Sequence, residues 1–139
     1  MVSLGADNRL FGADSLLESG RYPTTTFGEM ARTFGQMYDE DKVAELKKHR
    51  YIFNEIVPDE RGMVSWKITR AGWGEEEAKE QVLHTEEVVA MMFATVKAFA
   101  EKQAEGSVRD CVITVPSWYT YDQRLMLKDA AELANLKVL

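Results

Sequence analysis

The C-terminal segment constrains the fold most strongly, because its pattern indicates a strand, a helix and a second strand in succession. Residues 110–115 form a near-continuous apolar run, which is typical of a strand buried on both faces. Thr120 and Gln123 have the spacing of a capping box and predict a helix over about 121–134. Residues 137–139 have the composition of another strand. Strand, helix and strand together form the parallel crossover unit, so we predict an α/β fold.

The middle of the chain predicts an antiparallel sheet, because apolar and polar residues alternate there. Residues 51–56 and 63–69 form two such strands around a turn at 59–62. Residues 81–83 are expected to add a short third strand after a polar connection at 72–79. The second strand places its apolar residues on one face, and these are Val64, Trp66 and Ile68.

Helices are predicted on either side of this sheet. The N-terminal third indicates three short helices, at about Leu10–Ser19, Phe27–Phe34 and Asp39–Lys48. The clearest helix begins at Thr85 and runs to about Gln103, with a stripe at three- and four-residue spacing that predicts one buried face. The residues of this stripe are Val88, Met91, Met92, Thr95, Val96 and Phe99. Its methionines are interpreted as core residues rather than as a binding groove.

Composition and charge narrow the classes of function. Apolar residues make up 45% and charged residues 29% of the chain, so intrinsic disorder is not expected. The net charge of −6 disfavours a nucleic-acid partner, and the basic cluster at 47–50 is interpreted as the solvated end of a helix. No apolar stretch is long enough for membrane insertion, and we expect no signal peptide. The single cysteine, Cys111, excludes an internal disulfide and favours buried packing.

No complete active site can be assembled from these residues. The two histidines, His49 and His84, lie far apart in sequence, so we predict no metal site, and His84 is expected to be exposed or to cap a helix. The glycines are scattered singly, which leaves no phosphate-binding loop, and no nucleophile motif is present. The acidic runs at 39–41 and 75–77 are interpreted as solvated faces. The sequence also stops where a new strand begins, so we expect a fragment of a larger α/β domain.

Several segments resemble the nucleotide-binding domain of the 70-kilodalton heat-shock protein superfamily. The resemblance is strongest at the C-terminal end, where residue types and spacing agree along the strand and the helix. The matching segments there are Val112-Ile113-Thr114-Val115-Pro116, Tyr121-Asp122-Gln123-Arg124, Lys128-Asp129-Ala130-Ala131 and Ala134-Asn135-Leu136-Lys137-Val138-Leu139. Upstream, looser matches occur at Arg9-Leu10-Phe11-Gly12, Tyr22-Pro23-Thr24-Thr25-Thr26 and Glu86-Glu87-Val88.

The resemblance implies both a fold and several site residues. It implies a fragment of an actin-like ATPase domain, with residues 1–109 in the outer part of lobe I and 110–139 as a strand-helix-strand piece of the inner sheet. Pro116 and Arg124 match the family's relay between nucleotide and substrate-binding domain, and Lys128 matches a lysine where the interdomain linker docks. Taken without the resemblance, Pro116 simply ends a strand, and Arg124 and Lys128 are ordinary exposed helix residues. Both interpretations stay open here.

One position departs from the family pattern. The family's catalytic lysine lies four residues after the glycine that Gly12 matches, and this sequence has Leu16 there. A leucine cannot hold a γ-phosphate or position an attacking water, whereas a lysine ammonium can. We therefore predict no catalytic residue in this chain. The loss of that lysine resembles the 170-kilodalton glucose-regulated, or hypoxia up-regulated, branch of the superfamily.

This branch implies a function for the parent protein. Its members are nucleotide-exchange factors for the lumenal 70-kilodalton chaperone and holdases for unfolded client proteins, with ATP or ADP and Mg as cofactors. The resemblance implies the endoplasmic reticulum lumen as the compartment, with the cytoplasm as the alternative, and a role in stress response and protein folding. The phosphate loops would lie outside residues 1–139, so this chain alone is expected to be inactive. The alternative function is a free-standing α/β module that binds a protein partner and has no nucleotide site.

Overall fold

The computed structural model describes residues 1–5, 8–70 and 79–139 of the chain. The predicted polar connection and its acidic run fall almost wholly outside these residues. The chain divides into two compact units, Met1–Thr85 and Glu86–Leu139. The predicted division at residue 109 concerns the lobe of a larger domain and stays a prediction. Among the described residues, no helix combines the length and apolar character that a bilayer crossing requires.

The first unit contains two three-stranded antiparallel sheets. One has the strand order β2-β1-β3 and the other β4-β5-β6. The strands are β1 (Val2–Leu4), β2 (Arg9–Phe11), β3 (Thr26–Phe27), β4 (Glu55–Pro58), β5 (Val64–Arg70) and β6 (Lys79–His84). The helices are α1 (Gly12–Glu18), α2 (Met30–Thr33) and α3 (Glu40–Leu46), and a 3-10 turn spans Pro23–Thr25.

The β4-β5-β6 sheet confirms the predicted antiparallel arrangement and carries the main core of the first unit. Its first strand was predicted over 51–56 but begins only at Glu55, and Ile52 instead forms an isolated bridge with Phe27. Trp66 on β5 pairs with Ile56 on β4 and with Leu83 on β6. All three side chains are buried, as are the other predicted face residues of β5. Phe27 packs edge-on against Trp66, with ring centroids 5.8 Å apart. Because Phe27 packs on Trp66 and the side chains of this face are buried, the inward face of β5 is covered by other residues.

Gly28 lies at a close approach of two backbone segments in the first unit. Its neighbour Phe27 forms an isolated antiparallel bridge with Ile52. A Cβ at Gly28 would lie 2.1 Å from the carbonyl oxygen of Tyr51, well inside van der Waals contact. Only glycine allows the two segments to meet this closely.

The first two N-terminal helices are shorter than predicted, because residues at their predicted starts lie in paired strands. Leu10 belongs to β2, which pairs with β1, so the first predicted helix begins only after it. Phe27 belongs to β3, and Glu29 has a left-handed φ of 50°, which leaves only α2 of the helix predicted over 27–34. The third predicted helix is confirmed as α3, and the Asp39 side chain caps it.

The second unit contains the predicted crossover. Its elements are α4 (Thr85–Ala104, whose first residue belongs to the first unit), β7 (Asp110–Cys111), α5 (Tyr121–Leu133) and β8 (Lys137–Val138). β7 and β8 are parallel, with Cys111 opposite Val138. Ala131, Ala134 and Leu136 form a small core, and Cys111 packs against it. The α/β fold class predicted from the sequence is confirmed.

Two apolar segments of the second unit are less buried than predicted. In the apolar run at 110–115, only β7 pairs with another described strand, and Val112 is 78% exposed. On α4, Val88 is buried, but Val96 and Phe99 are mostly exposed. A strand buried on both faces needs elements packed on both faces of its sheet, and β7 forms only a two-residue pair with one described strand. The second unit alone therefore does not cover these side chains.

Candidate functional site

Pro116 starts the turn that leads from the apolar run into α5. The Tyr119 amide donates to the Pro116 carbonyl oxygen at 3.1 Å and closes this turn. Thr120 then caps the helix, because its Oγ1 accepts from the Gln123 amide at 3.3 Å. The Gln123 side-chain oxygen accepts in return from the Thr120 amide at 2.9 Å. The predicted capping box is confirmed, and it fixes how the chain enters α5.

Arg124 is tied back to the same turn. Its Nε donates to the Tyr119 carbonyl oxygen at 3.1 Å, while the Tyr119 amide bonds to Pro116. The backbone amide and carbonyl of Tyr119 therefore connect Pro116 to Arg124. Burial raises the pKa of the Tyr119 phenol above its ordinary value. The geometry brings together two of the predicted site residues.

Lys128 lies one helical turn after Arg124 on α5. Residues four apart share a helix face, and both side chains are exposed. Within the described ranges, neither cation has a carboxylate at ion-pair distance. Tyr121 and Leu125 are exposed apolar neighbours on the same helix. The face of α5 is therefore cationic with apolar side chains beside the charges.

Leu16 belongs to the first unit, whereas Pro116, Arg124 and Lys128 belong to the second. It lies in the last turn of α1, where its carbonyl oxygen accepts from the Ser19 amide at 3.3 Å and from the Ser19 hydroxyl at 2.7 Å. Its side chain is 44% exposed and has no polar atom. Nothing at this position can neutralise phosphate charge.

The residues of this chain do not fit Mg-ATP by themselves. Phosphoryl transfer needs backbone cradles and cations around the phosphates. Leu16 has no cationic group at the position where the family resemblance implies a lysine, and the glycines occur singly rather than in a loop. Within the part of the chain that the structure describes, no metal-binding cluster of three histidine, cysteine, aspartate or glutamate side chains occurs. The exposed cations Arg124 and Lys128 can position a neighbouring element by hydrogen bonds and charge.

A second polar cluster lies at the turn between β4 and β5, which the sequence predicted only as a turn. Asp59 Oδ1 accepts from the amides of Arg61 and Met63, each at 2.8 Å. Asp59 Oδ2 accepts from the Arg61 guanidinium at 2.7 Å and lies 3.2 Å from His84 Nδ1. Burial alone raises the pKa of Asp59, but these hydrogen bonds and the Arg61 charge outweigh burial and lower it.

Ser65, His84 and Asp59 do not form a nucleophilic triad. Ser65 Oγ lies 3.5 Å from the same Nδ1 atom of His84 that faces Asp59. In a triad, the serine and the aspartate face opposite nitrogens of the imidazole. Ser65 is also fully buried, out of reach of a substrate. The cluster is a brace that holds the turn against the end of β6, and only the strand register reveals it.

Comparison with known proteins shows what the chain is similar to. The family model "Hsp70 protein" matches residues 1–139. A heat shock protein homolog of Lachancea kluyveri is 30% identical, with 98% of this chain and 18% of the relative covered. "Heat shock 70 kDa protein 16" of Arabidopsis thaliana is 29% identical, with 100% and 17% covered. "Hypoxia up-regulated protein 1" of Gallus gallus is 32% identical, with 99% and 13% covered. The chain spans less than a fifth of each of these three relatives.

Proposed function

The chain belongs to the Hsp70 family, and from this premise we propose that it forms part of the ATP-binding domain of a molecular chaperone or co-chaperone. The relatives named as heat-shock and hypoxia up-regulated proteins support a chaperone-related function. The superfamily and the actin-like ATPase fold class that the sequence predicted are confirmed. Because the chain spans less than a fifth of these relatives, the activity of the whole protein is part of this proposal.

The observation that carries the proposal is the turn from Pro116 to Arg124. In the proposed relay, Pro116 responds to the nucleotide, and Arg124 and Lys128 contact the substrate-binding domain or its linker. A displacement of the Pro116 carbonyl changes the hydrogen bond from Tyr119, whose own carbonyl holds Arg124. A small movement at one end of the turn thereby reaches the cationic face of α5.

We further propose that the parent protein is a holdase and a nucleotide-exchange factor for a lumenal 70-kilodalton chaperone. The substitution at Leu16 and the hypoxia up-regulated relatives support this narrower function. ATP or ADP with Mg is held by residues outside this chain, and the compartment is the endoplasmic reticulum lumen. Fluorescence imaging of the tagged full-length protein tests the compartment, and a cytoplasmic signal contradicts that part.

The relay is tested in the full-length protein by Arg124→Ala. We expect the effect of ATP on client affinity to fall at least fivefold, since allosteric coupling is typically about 1–3 kcal/mol. Nucleotide affinity is expected to stay within about twofold, because Arg124 lies on an exposed helix face. Lys102→Ala, which removes an exposed cation near the end of α4, is the matched control. Unchanged coupling in Arg124→Ala, or equal loss in both variants, contradicts the relay.

Calorimetric titration of Mg-ADP and Mg-ATP into this chain tests whether it carries its own nucleotide site. We expect no binding tighter than about 10 μM, which corresponds to roughly −7 kcal/mol. Tighter binding would show a complete nucleotide site among residues 1–139 and would contradict the proposal. It would equally contradict the free-standing interaction module, which has no nucleotide site.

A further inference from the structure

Two methionine side chains lie side by side in the first unit, just before β5. Met37 and Met63 form an isolated antiparallel bridge. The backbone hydrogen bonds that enclose this bridge join the residues on either side of it, at 2.8 and 2.9 Å, and they run from the amide of Tyr38 to the carbonyl of Gly62 and from the amide of Val64 to the carbonyl of Gln36. Met37 and Met63 are therefore a non-hydrogen-bonded pair, the kind in which opposite side chains share a face and approach most closely.

His84 lies on the same face of the sheet as these methionines. It is paired with Ser65, which follows Met63 by two residues, and residues two apart on a strand point to the same face. His84 and Met63 are thus diagonal neighbours, at a spacing of about 7–8 Å that long side chains can bridge. Asp59 joins the two positions, because its Oδ1 accepts from the Met63 amide at 2.8 Å and its Oδ2 lies 3.2 Å from His84 Nδ1.

Asp59 also fixes the orientation of the imidazole. Burial raises the pKa of Asp59, but its hydrogen bonds and the Arg61 charge outweigh burial and lower it, so the carboxylate is ionised at neutral pH. An ionised carboxylate only accepts hydrogen bonds, so His84 Nδ1 donates to it and Nε2 carries the lone pair of the neutral ring. A carboxylate that holds the far nitrogen of a histidine in this way is the usual support of a metal-binding imidazole.

The two sulfurs decide which metal such a cluster prefers. Thioether sulfur is a soft ligand, which selects Cu(I) over the hard cations that bind oxygen. Met37 is 59% exposed and Met63 is half-buried, so an ion can reach the pair from solvent. The Arg61 guanidinium lies 2.7 Å from Asp59 Oδ2, so these two charges offset each other beside the cluster. The ligands are then neutral, as suits a soft monovalent ion.

We propose that Met37, Met63 and His84 form a binding site for Cu(I), with the two thioether sulfurs and His84 Nε2 as ligands. Asp59 is a positioning residue, which holds the imidazole by its other nitrogen. The sequence predicted no metal site, because only the strand register brings these three residues together. All of them belong to the first unit, so the site stands independently of the relay proposed for the second.

The test is an NMR titration with Ag(I), a redox-stable ion that shares the charge and soft character of Cu(I). The chain carries ¹³C-labelled methionine methyls and Cys111→Ser, which removes the single competing thiol. We expect saturable shifts of the Met37 and Met63 methyl signals, with a dissociation constant of about 1–10 μM. Cu(I), added without oxygen, should displace Ag(I) from the same signals.

The double variant M37L/M63L keeps the side-chain volumes and should weaken Ag(I) binding at least about a hundredfold. His84→Gln should weaken it at least about tenfold. The matched control is M91L/M92L on α4, which removes two methionines that are consecutive in sequence and do not face each other. It should change the affinity less than about twofold.

Four results overturn the proposal. They are no saturation below about 1 mM Ag(I), equal weakening in both double variants, unchanged affinity in His84→Gln, and Zn(II) binding more tightly than Ag(I) at the same methyl signals. If M37L/M63L proves unfolded, Met37→Leu decides instead, because this side chain is mostly exposed. It should weaken Ag(I) binding at least about tenfold, and an unchanged affinity would equally overturn the site.

Discussion

The β4-β5-β6 sheet and the β7-β8 pair are both built from strands, but only the first sheet completes its own core. β5 is paired along both edges, and its Trp66 is fully buried. β7 pairs with β8 over two residues, while Val112 and Leu139 stay mostly exposed. Antiparallel strands find partners close by in sequence, whereas parallel strands need partners from distant segments. The first sheet therefore covers its own core, whereas the described strands of the second unit leave large apolar side chains exposed.

This difference agrees with what the comparisons show. The family model spans both regions, yet the chain spans only 13–18% of the relatives described above. The exposed apolar side chains of the second unit are the residues that a larger parallel sheet would cover. Matched pairs of substitutions test this contrast between the two regions.

The largest expected contrast is between two tryptophans. Trp66→Ala should destabilise the chain by about 3–5 kcal/mol. It removes a buried side chain from the central strand β5 and leaves a cavity beside Phe27. Trp118→Ala should cost less than about 0.5 kcal/mol, since Trp118 is 78% exposed. Urea unfolding followed by circular dichroism measures both. Equal costs for the two variants would contradict the contrast.

Gly28→Ala is expected to cost about 3 kcal/mol. The added Cβ meets the Tyr51 carbonyl oxygen at 2.1 Å, so the bridge between Phe27 and Ile52 must open. Gly20→Ala is the matched control, because no atom lies within 4 Å of a Cβ there. The control should be neutral or slightly stabilising. A neutral Gly28→Ala would show that this close approach is not needed for folding.

Asp59→Asn is expected to cost about 2 kcal/mol at pH 7, because it removes the negative charge that the Arg61 guanidinium contacts. The pKa of Asp59 is lowered in the folded state, so its stabilising contribution is present above its unfolded pKa. That contribution is lost as pH falls through the folded pKa. The variant should therefore lose less stability than the parent chain during acid titration. Glu60→Gln, in the same turn but exposed, is the matched control and should change the free energy of unfolding at pH 7 by less than about 0.5 kcal/mol.

The smallest expected effect lies in the second region, at the cap of α5. Thr120→Ala removes the acceptor for the Gln123 amide and should cost about 1 kcal/mol. Thr120→Ser keeps the hydroxyl and should cost less than half as much. Thermal unfolding monitored by NMR signals of α5 separates the two. A cost for Thr120→Ala as large as that for Trp66→Ala would mean that the second region is as self-sufficient as the first.

Local patterns predicted those elements whose stability is local. The capping box at Thr120 and Gln123, and the alternation through Val64 and Trp66, specify their elements within a few residues of sequence. Leu10 lies in β2 rather than in the predicted helix, because it pairs with Ser3 of β1. Sequence periodicity does not identify a pairing partner on another strand. The same reason explains the apolar run at 110–115, whose composition predicts burial that its own unit does not provide.

Some site residues could be predicted from the sequence, whereas the contacts that connect them could not. Pro116, Arg124 and Lys128 were found only through the family resemblance, because nothing in their spacing marks a relay. The link through Tyr119 depends on backbone atoms, which carry no sequence signal. The Asp59 brace depends on strand register, so it becomes visible only in the folded chain.

Amide hydrogen exchange measured by NMR on this chain tests the central contrast most directly. The amides of β5 are expected to exchange only through global unfolding, since β5 is paired on both sides. The amides of Lys137 and Leu139, which bond to the carbonyls of Arg109 and Cys111, are expected to exchange at least a hundredfold faster. Equal protection in the two regions would show that the β7-β8 pair is as stable as the β4-β5-β6 sheet, and would contradict the contrast between the two regions.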